Sequence, residues 1–336
     1  MRAIENIWYR PLSLLTILLW PLGQLYCLLA RLRRGCYRIN LLSSSKPAVP
    51  VVVVGNITAG GTGKTPLVIL LAQWLCNAGY HPGIVSRGYG GRTRHSPLQV
   101  LPDSAPEAVG DEPLILARHS GCPVMVDPDR SRAARHMVET LSCDIILTDD
   151  GLQHYRLQRD LEIAVVDGDR QFGNQYCLPA GPLREPISRM DTVDIRITHY
   201  RAAPVKQEGH ALWLQTGNLV SLSNDALVKD VNEFAGQTVH AVAGLGNPQR
   251  FFASLQALGL NVIPHAMPDH HNYSLPDILF DDDFQVVMTE KDAVKCRALM
   301  DSVNNKQYYW FLRVSAQTDN NFKEIFLSKI KELVSG

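Results

Sequence analysis

From Val51 the chain reads VVVVGNITAGGTGKTP, an apolar run feeding a glycine-rich loop and then Lys64-Thr65 at the head of a helical stretch. Glycines at 60, 61 and 63 let successive main-chain N–H groups point inward, where they can grip phosphate oxygens. The helix that follows adds the positive end of its dipole. In such a loop Lys64 would reach the β- and γ-phosphates, and the Thr65 hydroxyl would ligate Mg²⁺. Thr58, Ala59, Gly60, Gly61, Thr62, Gly63, Lys64 and Thr65 are therefore the expected cradle for a nucleoside triphosphate. In the common pattern G-x-x-x-x-G-K-[ST] the first glycine falls on Thr58, so only the G-K-T end matches, and a plain Gly-rich turn before a helix is the alternative.

Such a site commonly uses a strand-end carboxylate to hold the metal. CDIILTDDGLQH places Asp149 and Asp150 just past an apolar run, where an ordinary Asp-Gly turn is the competing explanation. Four further polar clusters fall at predicted strand or loop ends: SRGYGG from Ser86, GDEP from Gly110, GPLREP from Gly181 and DHH from Asp269. Taken singly each is weak. Arg87 and Arg184 read equally as surface arginines, Asp111 as a helix cap, and His270 as a solvated loop histidine. Asp269-His270-His271 does not make a convincing metal site, because adjacent residues rarely face one ion.

The elements needed to hold these residues are legible as an alternation. Val51–Val54, Gly83–Ser86, Asp144–Thr148 and Glu162–Asp167 read as strands, with helices over Pro66–Ala78 and Asp129–Leu141. After a soft boundary near Leu222 come the strands Val239–Ala243, Gln285–Thr289 and Tyr308–Val314. Helices are expected over Pro248–Leu258, from Glu290, and over Asn321–Val334. The expectation is an α/β fold with a mostly parallel sheet covered by helices.

At 336 residues the chain has room for two domains, and 46% apolar with 20% charged residues is globular composition. Lys plus Arg number 33 and Asp plus Glu 33, so the formal charge is zero and no general nucleic-acid surface is expected. The seven cysteines are scattered with no C-x-x-C spacing, which argues against a disulfide scaffold or a cysteine zinc site and suits a reducing compartment. One asymmetry stands out. Pro11 to Ala30 is uncharged, preceded by Arg10 and followed by Arg31, Arg33, Arg34 and Arg38. A run of this length just crosses a ~30 Å hydrocarbon layer. Trp8, Tyr9, Trp20 and Tyr26 are interface-seeking types, and the arginines suit anionic headgroups on the cytoplasmic side. A cleavable signal lacks its A-x-A site, and a buried core helix is the alternative because Pro21 and Gly23 would kink a spanning one, but the expectation is a membrane-seated helix, spanning or lying in the interface.

The ordered set GNITAGGTGKTP, SRGYGG, GDEP, DDGLQHYRLQRDLEI, GPLREP, PDHHNY and MTEKDAVK, after an apolar N-terminus, resembles the tetraacyldisaccharide 4′-kinases, the lipid A 4′-kinases of Gram-negative bacteria. The resemblance spans nearly the whole chain and implies transfer of the ATP γ-phosphate to the 4′-hydroxyl of an acylated diglucosamine 1-phosphate, with ATP and Mg²⁺, at the cytoplasmic face of the inner membrane. It implies a membrane-associating segment over 1–40, a P-loop NTPase-like core over 41–222 and a smaller α/β C-terminal domain over 223–336, with the site between them. By motif, the base falls on Asp111 and its partner on His270 rather than His271, and Lys64 serves the transferred phosphate. Thr65, Asp149, Asp150 and Glu185 fall at the metal. The alternative is a membrane-recruited P-loop switch ATPase, but such proteins carry a signature Lys where this chain has Ala59.

Overall fold

A computed structural model describes residues 7–9, 13–92, 96–205, 209–303 and 306–335. In chain order the strands are β1 (Val51–Gly55), β2 (Pro82–Ser86), β3 (Leu98–Val100), β4 (Val124–Val126), β5 (Ile145–Thr148), β6 (Leu161–Asp167) and β7 (Ile195–Tyr200). They continue with β8 (His210–Ser221), β9 (Val228–Lys229), β10 (Thr238–Ala243), β11 (Asn261–Ala266), β12 (Gln285–Thr289) and β13 (Tyr309–Thr318). The helices are α1 (Leu14–Arg38), α2 (Lys64–Asn77), α3 (Pro106–Val109), α4 (Asp111–His119), α5 (Arg130–Leu141), α6 (Pro248–Ala257), α7 (Glu290–Cys296) and α8 (Asn320–Ser335).

These strands join one mixed, mostly parallel sheet in the order β11-β10-β12-β13-β8-β7-β6-β1-β5-β2-β4-β3, with β9 on β8. The centre follows from composition: β1 is Val-Val-Val-Val-Gly, buried on both faces as a parallel strand under helices must be. β1 lies between β5 and β6 in parallel register, Val53 opposite Thr148. The carboxyl ends of β1 and β5 are therefore level, which brings the loops that follow them side by side. α2 buries Leu67, Val68, Leu71, Ala72 and Leu75, the spacing of one helical face, against this sheet.

β8 and β13 pair antiparallel over a long register and join the two halves of the sheet. Beyond them β10, β11 and β12 carry their own apolar clusters. α8 crosses back: Phe322 and Phe326 pack on Trp74 of α2. β7, β8 and β11 are strands that apolar runs do not announce. β7 alternates buried and open positions, and β8 is interrupted by Gly217 and Asn218.

α1 runs through Pro21 without a break and buries only Thr16, Gly23 and Cys27. Gly23 is the point of approach, since a Cβ there would lie 2.9 Å from the Cys177 carbonyl. The opposite face leaves Leu14, Ile17, Leu18, Leu22, Leu25, Leu28 and Leu29 exposed, so the core-helix alternative fails for α1. Among the described residues it is the one helix long and apolar enough to cross a membrane. Arg10, Pro11 and the chain's first six residues lie outside the described residues.

Candidate active site

The phosphate loop leaves β1 at Gly55 and enters α2 at Lys64. Gly60 and Gly63 hold positive φ, 104° and 84°, which glycine adopts without steric cost. A Cβ at Gly60 or Gly61 would meet nothing, so that side of the loop is open to a ligand. Buried Asn56 braces the loop: its amide donates to Thr58 Oγ1 at 3.2 Å, and its Oδ1 accepts from Lys64 Nζ at 3.4 Å. The GPLREP segment zips along the outside through Ala59 N to Pro182 O and Arg184 N to Ile57 O.

The level ends of β1 and β5 set the next contact. Thr65 Oγ1 donates to Asp149 Oδ2 at 2.9 Å, and Lys64 Nζ lies 3.4 Å from Asp150 Oδ1. Burial, reinforced by Glu112, pushes the Asp149 carboxyl up to about 7. Burial would raise Asp150 too, but Lys64 and Arg184, the latter at 2.8 Å, hold it well below the usual carboxylate range. Glu185 sits in the same cavity, with Oε2 accepting from Tyr155 OH at 2.7 Å and paired to Arg189 at 3.1 Å.

Asp149 Oδ1 and Glu185 Oε1 are buried oxygens without a hydrogen-bond partner, and Asp150 Oδ1 has only the Lys64 ion pair at 3.4 Å. The open Asp149 oxygen beside the Thr65 hydroxyl, with Asp150 next to it in sequence, fits Mg²⁺, which takes one or two carboxylates and completes its shell with phosphate oxygens and water, whereas Glu185 shares the cavity without a contact to Thr65. Among the described residues no group of three or more His, Cys, Asp or Glu is placed to hold one ion, so Asp149, Asp150 and Glu185 do not converge as a three-carboxylate metal site.

Asp111 heads α4, and Gly110 rather than Asp111 occupies the cap position, with φ 92°. A Cβ on Gly110 would lie 2.5 Å from Tyr89 O, so GDEP and SRGYGG are locked together. Asp111 is 4% exposed, with His270 Nδ1 3.3 Å, Lys295 Nζ 3.1 Å and Lys291 Nζ 3.9 Å from Oδ2. Burial favours the neutral acid, but contact with His270 and the two ammonium charges hold Asp111 well below the usual carboxylate range. His270 has a positive φ of 56°, a strained conformation for a non-glycine residue, and its ring leans on Tyr89 at 4.8 Å. His271 turns away to Asp277 at 3.2 Å.

A cavity of about 1390 Å³ gathers these groups: the phosphate loop, Asp149, Asp150, His270 and Lys291 share it with Tyr26, Leu29 and Arg33 of α1. Four partners lie outside the sequence expectation. Lys291 and Lys295, one turn apart on α7, clamp Asp111; both fall within MTEKDAVK, the one signal that marked them. Arg250 at the start of α6 and buried His199 close the far side of the phosphate loop, with His199 Nδ1 3.0 Å from Thr62 O. Burial and Arg250 push His199 down to about 4, so it stays neutral near pH 7.

A phosphate-gripping loop, an acidic pair at the adjacent strand end and His270 line one cavity, with the buried Asp111 behind His270 rather than on the cavity wall, and together they define a P-loop phosphotransferase. The family model described as tetraacyldisaccharide-1-P 4'-kinase (LpxK) matches residues 15–331, and the chain belongs to that family. The tetraacyldisaccharide 4'-kinase of Alkalilimnicola ehrlichii is 48% identical over 338 residues, covering 100% of this chain and 99% of the relative. That of Methylobacillus flagellatus is 46% identical over 334 residues, covering 99% and 97%. Among solved structures, LpxK from Aquifex aeolicus in complex with ATP superposes with a TM-score of 0.74 at 26% identity, covering 94% of this chain and 99% of that one. The family assignment sets the switch-ATPase alternative aside.

Proposed function

We propose that this chain transfers the γ-phosphoryl group of ATP to the 4′-hydroxyl of a tetraacylated diglucosamine 1-phosphate, working from the cytoplasmic face of the inner membrane. One observation carries the reading: the apolar helix α1 lines the same cavity as the phosphate loop, through Tyr26, Leu29, Ala30 and Arg33. A four-chain lipid leaves a bilayer only at about 0.8 kcal/mol per CH₂, so an enzyme acting on its sugar must reach the membrane. α1, with its exposed leucines and trailing arginines, supplies that seat. The three segments 1–40, 41–222 and 223–336 would then act as anchor, nucleotide core and a smaller unit bearing His270 and the Lys291–Lys295 clamp.

Lys64 and the main-chain amides of residues 60 to 65 would hold the triphosphate, and Thr65 with one or two of Asp149, Asp150 and Glu185 would hold Mg²⁺. When bound, Mg²⁺ would supply positive charge that offsets the charge developing during transfer. The acceptor oxygen forms its bond to phosphorus as the bridging P–O bond to ADP breaks, and the hydroxyl proton passes to the Asp111–His270 pair. His270 faces the cavity, with Nε2 3.3 Å from the Lys291 ammonium, which only an unprotonated Nε2 can accept. Nδ1–H then points at Asp111, so His270 orients the carboxylate that takes the proton. A low carboxylate pKa suits a loose phosphoryl transfer, in which positioning outweighs strong base catalysis.

The test is transfer of labelled γ-phosphate from ATP to tetraacyldisaccharide 1-phosphate in mixed micelles. Lys64→Ala and Asp111→Ala should each lose at least about 100-fold in turnover while melting cooperatively. A folded Asp111→Ala enzyme turning over near the normal rate ends the base assignment. Failure to transfer phosphate to this acceptor ends the functional reading.

A further inference from the structure

Two cysteines outside the site face one another at the surface. The sulfur atoms of Cys76 and Cys122 are 3.3 Å apart, a spacing at which one thiol already donates to the other. Cys76 lies in the last turn of α2 and is exposed, whereas Cys122 is half-buried in the loop leading to β4. Cys27, Cys143, Cys177 and Cys296 are buried, beyond easy reach of a solvent-borne oxidant. Burial and the neighbouring Cys76 push the Cys122 thiol well up, so it is the poorer first nucleophile and the exposed Cys76 sulfur meets an oxidant first.

The position of the pair gives it a consequence. α2 begins with Lys64-Thr65 at the phosphate loop, and α4 begins with Asp111. Their other ends converge where the cysteines sit: Gln73 donates to the His119 carbonyl at 2.9 Å, and the Cys122 amide donates to Ser120 Oγ at 3.2 Å. A covalent link there would tie together the two helices whose opposite ends carry the phosphate-loop lysine and the Asp111 carboxylate, without entering the cavity.

We propose that Cys76 and Cys122 form a reversible disulfide by exchange with a low-molecular-weight disulfide such as oxidised glutathione. The Cys76 thiolate attacks one sulfur of the small disulfide and releases one small thiol. Cys122 then loses its proton and attacks the Cys76 sulfur, releasing the second. Two protein S–H bonds are lost, one S–S bond is formed, and the two electrons leave with the two small thiols. In a reducing compartment such a bond is transient, formed under oxidising stress and removed afterwards.

The experiment uses the full chain in detergent, equilibrated with oxidised or reduced glutathione, with peptide mapping by mass spectrometry under non-reducing conditions. The expected result is a peptide pair joined through Cys76 and Cys122, two hydrogens lighter than the sum of its parts and released by dithiothreitol. The melting temperature of the oxidised form should rise by several degrees, because the link restricts the unfolded chain. Cys76→Ser and Cys122→Ser should abolish both effects while reduced-state turnover stays within about twofold of the parent. The proposal falls if both thiols remain open to alkylation after oxidation, or if each carries its own glutathione without joining. It also falls if the rise in melting temperature survives Cys76→Ser. Phosphoryl transfer by the reduced enzyme is scored separately, so the fate of the kinase reading does not decide this one.

Discussion

Asp149→Asn should make the metal-free protein more stable and the enzyme inactive. The Asp149 carboxyl is 2% exposed and raised from its ordinary 3.8 to about 7, burial being the main cause and Glu112 the next. A difference of about three in pKa, at about 1.4 kcal/mol each, costs up to ~4 kcal/mol once the group is ionised. Water entering the open cavity screens part of this, leaving about 2–4 kcal/mol. The sign follows from the direction of the shift. A carboxyl whose folded pKa is raised costs nothing while protonated in both states, below about pH 4; the cost grows as pH rises toward 7 and is complete above it. Asparagine keeps an acceptor for the Thr65 hydroxyl, 2.9 Å away in the parent, and carries no charge. Unfolding entropy of about 2.1 cal/mol/K per residue over 336 residues converts 2–4 kcal/mol into about 3–6 °C. The assay is thermal melting in detergent with a chelator from pH 4.5 to 8.5, repeated with Mg²⁺ and ATP. The variant should lie closest to its parent at the acid end, where about 1 kcal/mol of the cost is already present, and furthest above it at pH 8, and Mg²⁺ with ATP should favour the parent. A variant melting at or below its parent at pH 8 without metal, or a gap that shrinks with rising pH, would refute the reasoning.

Three further outcomes are expected. Lys295→Met removes an ammonium 3.1 Å from Asp111, so the depressed Asp111 pKa should climb, as followed by NMR of the Asp111 carboxyl; an unmoved titration would detach Lys295 from that carboxylate. Gly63→Ala places a Cβ 2.6 Å from His199 Nδ1 at a φ of 84°, a strain of about 1–2 kcal/mol or more that should weaken ATP binding at least about 10-fold by calorimetry. Serine in place of the exposed Leu18, Leu22 and Leu25 removes about 1.5–3 kcal/mol of apolar contact per residue, which should shift the protein from the detergent-released membrane fraction toward the soluble one.

The phosphate loop was readable because everything it needs is contiguous: a strand, permissive glycines, then Lys64-Thr65 opening a helix. Asp149 was readable almost as well, since an apolar run ending in two aspartates places carboxylates at a strand end. Other features of the site were not. Asp111 looked as much like a helix cap as a base, and only packing puts Gly110 in that place and Asp111 beneath His270. Arg184 could not be told from a surface arginine until its 2.8 Å contact with Asp150 was visible. Glu185 came by resemblance alone; the pairing of one oxygen with Arg189 and Tyr155, leaving the other open, belongs to three dimensions.

Local chemistry was thus set by the order of residues: which loop can grip phosphate and which strands lie buried on both faces, whereas only the tertiary structure showed the amino-terminal helix too open to be core. Whether distant groups act as one was set by tertiary structure. The level ends of β1 and β5 bring Thr65 to Asp149, and α7 delivers two ammonium groups to a buried carboxylate. The physical reason is range. Backbone conformation and burial pattern are decided within a few residues along the chain, whereas a carboxylate's charge and proton affinity are decided by whatever folding places within about 4 Å.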